Sequence, residues 1–253
     1  MAKIIVFDSG FGSLSIIRPI QQAIKSDIVY FADQKNFPYG KKSKAQLTKI
    51  ITKTISMLEE KFRPDLIVIG SNTPSLLVEI NKKNIVKVLP PIKKAAKISR
   101  TGNIAMLTTL AVVRSKKLSE YVRKNRLPKH VNIKRIDATQ LVRLVEEGKF
   151  LDGRKLCEKT VKKVLSKPFS KSNVDVAILA STHLPFLLPF LKKQFPNITF
   201  VDPAKDIAQK VRKIVAKKPS KTNTMKIFTS SDPKKFQKYL LQIGIKKNVS
   251  VLV

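Results

Sequence analysis

The sequence has few residues of the kinds that form disulfides, and it has no long apolar segment. Its 253 residues include no tryptophan, eight glycines and one cysteine, Cys157. A single cysteine excludes a disulfide within the chain. No apolar run approaches the roughly 18 residues of a membrane-spanning helix, and the first predicted strand starts almost at Met1, without a signal peptide. These absences predict a cytoplasmic protein that does not enter a membrane.

Acidic residues are also scarce. The chain has 17 of them against 51 lysines and arginines, for a formal net charge of +34. Such a charge favours acidic ligands and non-specific binding to nucleic acid at low salt. Few aromatic residues accompany the lysines, and this argues against sequence-specific reading of nucleic acid. A solvated lysine-rich surface without a functional role explains the same composition, so both interpretations stay open.

The segment DLIVIGSNTPSLL, residues 65–77, combines a short apolar run with a polar turn. The run predicts a strand buried on both faces, and Thr73 followed by Pro74 predicts the N-cap and first residue of a helix. Ser71, Asn72 and Thr73 would then lie beside the free N–H groups of that helix. Such a point binds carboxylates or phosphates.

A similar segment, DVAILASTHLPFLL, occupies residues 175–188. Here Ser181, Thr182 and His183 take the places of the Ser-Asn-Thr turn. An earlier pair of segments, residues 3–15 and 103–115, is related in the same way. In that pair, Asp8 and Ser9 of the first segment match two threonines, the second of which is Thr109.

The two pairs of segments predict an internal repeat. The predicted fold class is α/β, with two pseudo-symmetric three-layer domains, mainly parallel sheets and a cleft between the domains. We place the first domain at residues 1–95 plus 210–253 and the second at 96–209. Chance similarity between strand-helix turns is the alternative explanation. Apolar residues at helical spacing from Leu47 to Phe62 predict the clearest amphipathic helix.

Three further features are candidates for a functional site. Asp8 follows the first predicted strand, where side chains of parallel sheets often meet ligands. A Pro38-Tyr39-Gly40 turn between a strand and a helix would form the wall of a pocket. Glu146 lies in the last turn of a predicted helix, where a carboxylate opposes the helix dipole, and this indicates another role for it.

Six segments, in this order, resemble the cofactor-independent aspartate/glutamate racemase family over nearly the whole chain. They are VFDSGFGSLS, YFADQKNFPYGKKS, GSNTPS, LVRLVEEG, ASTHLPFL, and the closing VDPA with FTSSDPKKF. The resemblance implies an isomerase without cofactor or metal. It also implies a small acidic amino acid, glutamate or aspartate, or a related carboxylate, bound between two domains. A homodimer is a further implication.

The resemblance also assigns roles to residues. In the family, two cysteines exchange the α-proton on opposite faces of the substrate, and Ser71 and Ser181 stand at their positions. Asp8 and His183 would lie beside these serines, with Glu146 as a further catalytic residue. The residues that would bind or enclose the substrate are Ser9, Pro38, Tyr39, Gly40, Asn72, Thr73, Thr109 and Thr182.

The serines make racemase activity weak or absent in this interpretation, because a hydroxyl is far less acidic than a thiol. A non-catalytic binding or regulatory protein, associated with nucleic acid through its charge, is one alternative. A diverged enzyme such as a hydrolase, using Ser71 with Asp8 or Ser181 with His183, is another. The serines are either natural or introduced, and the departure of Ala111-Val112 from the family pattern favours natural divergence.

Overall fold

The computed structural model describes residues 2–218 and 221–252. The chain divides into two compact units. The first runs to Val88 and resumes at Ala204, and the second is Leu89–Pro203. Residues 1 and 253, the outer limits of the predicted first domain, lie outside the described part of the chain.

Strands and helices alternate through both units. The strands are β1 (Lys3–Asp8), β2 (Asp27–Ala32), β3 (Leu66–Ile69), β4 (Ile85–Lys87), β5 (Asn103–Thr108), β6 (Asn132–Asp137), β7 (Val176–Leu179), β8 (Thr199–Val201), β9 (Thr224–Thr229) and β10 (Val249–Val251). The helices are α1 (Leu14–Ala23), α2 (Lys44–Phe62), α3 (Asn72–Leu77), α4 (Ile92–Ile98), α5 (Leu110–Val113), α6 (Lys116–Lys124), α7 (Thr139–Glu146), α8 (Lys149–Asp152), α9 (Arg154–Lys171), α10 (Leu188–Gln194), α11 (Ala204–Val215) and α12 (Pro233–Gln242). Short 3₁₀ turns occupy Gln34–Asn36, Tyr39–Lys41 and Leu184–Leu187. None of the described helices is both long and apolar enough to cross a membrane.

Each unit contains one parallel sheet. The first has the strand order β10-β9-β2-β1-β3-β4, and the second has the order β6-β5-β7-β8. The order β2-β1-β3-β4 therefore recurs as β6-β5-β7-β8, with parallel pairing throughout the described strands. The predicted α/β class and the internal repeat are confirmed. The first sheet is extended by β9 and β10, which have no counterpart among the described strands of the second sheet.

The central strand of the first sheet, β1, is buried on both faces. Ile5 and Phe7 of β1 belong to an apolar cluster with residues of α2, including Leu47 and Ile51. Since side chains alternate along a strand, Ile4, Val6 and Asp8 face the opposite side, and they are completely buried as well. The continuous apolar runs in the sequence follow from this burial. The predicted apolar face of α2 is confirmed.

The turn after β3 passes very close to the segment that follows β1. A Cβ atom at Gly70 would lie 2.3 Å from Cβ of Ser13, so a side chain at this position would require the backbone to move. Helix α3 then begins at Asn72, with Ser71 before it. The prediction that Thr73 caps this helix is therefore wrong, because the chain turns two residues earlier than the proline suggests.

The acidic residue that opens each repeated segment holds the start of a neighbouring strand. Asp65 accepts hydrogen bonds from the Lys3 backbone N–H at 2.9 Å and from Lys218 at 2.7 Å. Asp175 accepts four bonds from residues 99–101, of 2.6, 2.6, 2.9 and 3.2 Å. Both acids lie at the amino ends of the strands, so they serve the scaffold of the repeat.

Replacing Asp175 with asparagine tests this role. Burial alone would raise the pKa of Asp175, but its hydrogen bonds with Ser99, Arg100 and Thr101 outweigh it and lower the pKa below 3.8. A carboxyl with a lowered pKa stabilises the fold above its unfolded-state pKa, and this contribution is lost as the pH falls through the lower folded-state value. We expect Asp175→Asn to lower the free energy of unfolding by about 1–2 kcal/mol at pH 7. The loss should shrink as the pH approaches 3 in denaturant titrations.

Asp152→Asn is the matched control in the same unit. The Asp152 side chain is 75% exposed and lies 3.9 Å from its partner Lys149, so its replacement should leave stability almost unchanged at every pH. Equal losses for both variants would contradict the role assigned to Asp175.

Candidate functional site

Polar side chains collect at the carboxyl ends of β1 and β3 in the first unit. The two strands are paired in parallel, with Phe7 opposite Ile69, so the residues that follow them emerge at the same edge. Asp8, the last residue of β1, is completely buried, and its Oδ1 accepts the N–H of Ser9 at 2.7 Å. The structure thus places Asp8 and Ser9 at the edge where the turn with Ser71 begins.

The turn after β3 carries the Ser71, Asn72 and Thr73 side chains. Ser71 is half-buried and makes no capping hydrogen bond to α3, while Asn72 and Thr73 are buried. The Asn72 amide donates to the Val88 carbonyl at 3.2 Å. Its Oδ1 is a buried acceptor without a hydrogen-bond partner among the described residues. An unused buried acceptor is costly, and a cationic donor from a ligand would offset that cost.

The loop after β2 contains a buried carboxylate that the sequence analysis did not single out. Asp33 accepts two hydrogen bonds of 2.9 Å from Asn36, one of 2.9 Å from the Tyr39 hydroxyl and one of 3.3 Å from Ser230. Burial raises the pKa of Asp33, although these hydrogen bonds act in the opposite direction. Burial, together with the charges of Asp33 and Asp8, raises the pKa of Tyr39 well above 10, so its hydroxyl remains a donor.

This cluster holds the Pro38-Tyr39-Gly40 turn in place. The peptide bond between Phe37 and Pro38 is cis, Tyr39 is 2% exposed, and Pro38 and Gly40 are half-buried. The Tyr39 hydroxyl is therefore bonded to the protein itself. The predicted role of the turn as a pocket wall stays a prediction. One signal could have identified Asp33 from sequence: it follows β2 directly, in an acidic position comparable to that of Asp8 at the end of β1.

In the second unit, the segment after β7 brings a histidine between a serine and a carboxylate. His183 Nδ1 lies 3.4 Å from Ser181 Oγ, and its Nε2 contacts Glu146 Oε1. The side chains of His183 and Glu146 are only 7% and 10% exposed. Glu146 is the last residue of α7, so the acid that opposes the helix dipole has a cationic or hydrogen-bonding partner.

The partners of the two ring nitrogens indicate their roles. An ionised carboxylate only accepts hydrogen bonds, so Nε2 of His183 carries the hydrogen that points to Glu146. In the neutral ring, Nδ1 is then an acceptor for the Ser181 hydroxyl. A carboxylate that orients a histidine next to a hydroxyl is the arrangement of a general base.

The remaining predicted residues of the second unit lie at the same edge. Thr109 follows β5 directly and precedes α5, and Thr182 is buried between Ser181 and His183. Thr108, at the end of β5, is completely buried, and its hydroxyl has no hydrogen-bond partner among the described residues. Its match to Asp8 in the repeat means that the second unit lacks a carboxylate at this strand end.

Cys157 lies away from these strand ends, within α9. It is completely buried, and its thiol is 3.3 Å from the Lys149 carbonyl oxygen. Burial, with a smaller contribution from the charge of Asp152, raises the pKa of Cys157 above 9.0, so it is a poor nucleophile near neutral pH. In the part of the chain described, no group of three or more His, Cys, Asp or Glu side chains could hold a metal ion.

Most of the chain is similar in sequence to a known protein. The sequence is 32% identical over 220 residues to glutamate racemase of Actinobacillus pleuropneumoniae serotype 5b, covering 84% of the chain and 82% of that relative. No protein-family model matches the chain.

Solved structures with the same fold are similar over the full length. Escherichia coli glutamate racemase, solved with L-glutamate and the activator UDP-MurNAc-ala, has a TM-score of 0.84 at 24% identity, covering 100% of the chain and 98% of that structure. The Francisella tularensis glutamate racemase, in complex with D-glutamate, has a TM-score of 0.83 at 22% identity, covering 100% and 97%. At these identities, the likeness concerns the fold.

The Asp33 cluster predicts a pH-dependent effect of Tyr39→Phe. The Tyr39 hydroxyl lowers the pKa of Asp33, so its removal should raise that pKa further. A carboxyl with a raised pKa costs stability as the pH rises through its folded-state value. We expect a loss of about 1–2 kcal/mol at pH 7 and a smaller loss at pH 4, measured by denaturant unfolding.

Tyr121→Phe is the control. It also removes one hydroxyl, which donates to the Pro90 carbonyl at 2.8 Å, but no carboxylate is its acceptor. Its cost should therefore be the same at both pH values. A pH-independent loss for Tyr39→Phe would contradict the coupling to Asp33.

Proposed function

The chain belongs to the glutamate racemase family, and we propose that it binds glutamate and transfers its α-proton slowly. The observation that carries this proposal is the contact of His183 with both Ser181 and Glu146. It keeps a general base beside the position where the family has a cysteine. The solved racemases with L- and D-glutamate support the choice of ligand.

Binding rests on polar groups at the strand ends. The unpartnered Asn72 Oδ1 would accept from the substrate ammonium group, and the Thr73 and Thr182 side chains would donate to its carboxylates. The positive charge of the chain would favour an acidic amino acid over a neutral one. Aspartate or a related carboxylate is the alternative substrate.

Proton transfer rests on side chains other than the serines. A serine hydroxyl is too weak an acid to supply a base near neutral pH, whereas a neutral imidazole is suited to this task. His183 would therefore act on one face of the substrate, with Ser181 relaying or orienting the proton. Asp8 would be the corresponding group beside Ser71 in the first unit. Because Asp8 and His183 differ chemically, exchange of the α-proton with solvent should be faster for one enantiomer than for the other.

A second candidate function is ester or amide hydrolysis at Ser181. The same three side chains favour it, since a serine, a histidine and a carboxylate form the nucleophile, base and orienting group of acyl transfer. Proton transfer remains the first choice, because family membership supports it directly.

A binding or regulatory role without catalysis, and the homodimer that the resemblance implies, both stay predictions. Sedimentation equilibrium tests the dimer.

Exchange of the α-proton tests the proposed activity. The unaltered protein and the Ser71→Cys/Ser181→Cys double variant are incubated with L- and D-glutamate in deuterated water, and NMR follows the α-proton. We expect slow and unequal exchange of the two enantiomers by the unaltered protein, and rapid exchange with full racemisation by the double variant. Failure of both proteins to bind or exchange glutamate would contradict the proposal.

The role of His183 is tested in the unaltered protein, where no cysteine can take the α-proton in its place. Removing a general base costs about 10²–10⁴-fold in rate, so His183→Gln should lower exchange by that factor for one enantiomer more than for the other. His130→Gln is the matched control, because His130 is exposed and is the only other histidine in the sequence. Equal loss for both enantiomers would contradict a one-sided role of His183.

The orienting role of Glu146 predicts a loss in Glu146→Gln that Glu147→Gln does not share. An amide can donate to Nε2 and stabilise the wrong tautomer, so exchange should fall without loss of glutamate binding. Glu147 is adjacent in sequence, half-exposed and paired with Arg143 at 2.9 Å, so its change alters the same charge outside the cluster. Equal activity of the two variants would remove Glu146 from the mechanism.

Labelling with a fluorophosphonate tests the hydrolase alternative. Covalent labelling of Ser181 in the unaltered protein, abolished by His183→Gln and retained in His130→Gln, would favour acyl transfer. Absence of labelling, together with α-proton exchange, would exclude it.

A further inference from the structure

The second unit contains a cavity at the edge of its sheet that the proposed function does not use. It lies between the end of α6, the loop of residues 125–131 and β6, and its volume is about 460 Å³. We call it the arginine pocket. It is lined by Val122, Arg123, Arg126, Leu127, Pro128, Lys129, Val131, Asn132, Ile133 and Arg135.

The charge of this pocket is entirely positive. Its lining includes three arginines and one lysine but no acidic residue. Among the described residues, none of these four cations forms an ion pair, and the one hydrogen bond from their charged groups joins Arg135 to the Ser119 hydroxyl at 3.0 Å. The nearest acid of α6, Glu120, is paired with Lys117 at 3.2 Å. An anion entering the pocket would therefore meet uncompensated cations.

The arginine content is not explained by the overall charge of the chain. Only ten of its 51 basic residues are arginine, yet three of those ten line this one cavity. Arginine presents planar pairs of N–H donors that match two oxygens of a phosphate group, while lysine acts as a point charge. The composition of the pocket thus favours phosphate over a diffuse attraction.

The loop that forms the pocket is held by its own hydrogen bonds. Arg126 N–H donates to the Arg123 carbonyl, Val131 N–H to the Pro128 carbonyl, and Asn132 N–H to the Gly102 carbonyl, at 3.1, 3.0 and 2.8 Å. At Gly102, a Cβ atom would lie 2.6 Å from the carbonyl oxygen of His130, so the loop packs closely on the start of β5. These bonds fix the backbone from which the cationic side chains project, so binding does not have to order the loop itself.

Arg126 has the left-handed backbone conformation often found at the residue that follows the C-cap of a helix. Its φ is +47°, in the left-handed region that favours glycine and asparagine. An arginine in this conformation costs stability relative to those residues. A substitution at this position can therefore weaken binding without lowering the stability of the fold, and this separates the two effects.

We propose that the arginine pocket binds a small anion with two or more linked phosphate groups. The guanidinium groups of Arg123, Arg126 and Arg135 and the ammonium group of Lys129 would bind the phosphates. Apolar side chains, including Leu127 and Ile133, would contact any organic part of the ligand. Inorganic polyphosphate and a nucleotide share this chemistry. The proposal is independent of glutamate binding, since none of these residues belongs to the strand-end clusters.

Isothermal titration calorimetry with tripolyphosphate, pyrophosphate and orthophosphate tests the proposal on the full chain. At 0.15 M salt, where interactions between exposed charges are screened beyond about 8 Å, tripolyphosphate should bind more tightly than pyrophosphate, and orthophosphate most weakly. Adenosine triphosphate in place of tripolyphosphate shows whether an organic part adds affinity. No heat of binding with any of these anions would overturn the proposal.

Arg126→Asn should weaken tripolyphosphate binding at least about tenfold, because it removes a charged, two-pronged donor. Its unfolding midpoint should stay unchanged or rise, since asparagine tolerates the left-handed backbone. Arg123→Lys keeps the charge but loses the paired donors, and it should also weaken binding. Binding that is unchanged in both variants would overturn the proposal.

Lys162→Gln and Lys163→Gln are the matched controls. Both lysines are exposed on α9 of the same unit, and each change removes the same single charge. Each should alter tripolyphosphate affinity less than about threefold, because screening limits the effect of a distant charge. If Arg126→Asn and these controls reduced tripolyphosphate affinity equally, binding would come from the overall charge of the chain and the proposed site would be wrong. If Arg126→Asn weakened the binding of a single-stranded RNA but not of tripolyphosphate, the pocket would be a nucleic-acid site and the proposal would be overturned.

Discussion

Parallel pairing of two central strands in each sheet is the constraint on which the candidate chemistry depends. β1 with β3, and β5 with β7, run in register and end at the same edge, so residues far apart in sequence arrive together. The close approach of Gly70 to Ser13 shows how little space separates the segments that leave β1 and β3. A side chain at Gly70 would separate the segments that carry Asp8 and Ser71. The backbone thus tolerates substitution least next to the polar groups of the candidate site.

The two units use the same strand order for different chemistry. The first unit presents a carboxylate, Asp8, at the end of its central strand, where the second has Thr108. The second unit instead presents His183, oriented by Glu146, after the neighbouring strand. A duplicated scaffold does not require duplicated side chains, because the strand order depends on buried apolar residues. The two units therefore offer different titratable groups, a carboxylate in the first and a histidine in the second, at corresponding ends of their sheets.

Features set by local sequence could be predicted, and features that join distant segments could not. The repeat and the apolar face of α2 follow from patterns within single segments, so they were predicted correctly. The start of α3 was placed two residues late, because Pro74 tolerates several positions in a first turn. The Asp33 cluster joins residues 33–39 to Ser230, and no local pattern reveals such a contact. The arginine pocket likewise needs α6, a loop and β6 together.

The buried position of Cys157 has a consequence for the chemical durability of the chain. With serine at positions 71 and 181, the only thiol in the sequence is inside α9, where it has no exposed surface. Peroxides and alkylating agents attack exposed thiolates, so they would find no sulfhydryl target on the folded chain. An enzyme that depends on two cysteines loses activity under oxidative stress. The histidine and the carboxylate of the proposed proton transfer would stay intact under the same conditions.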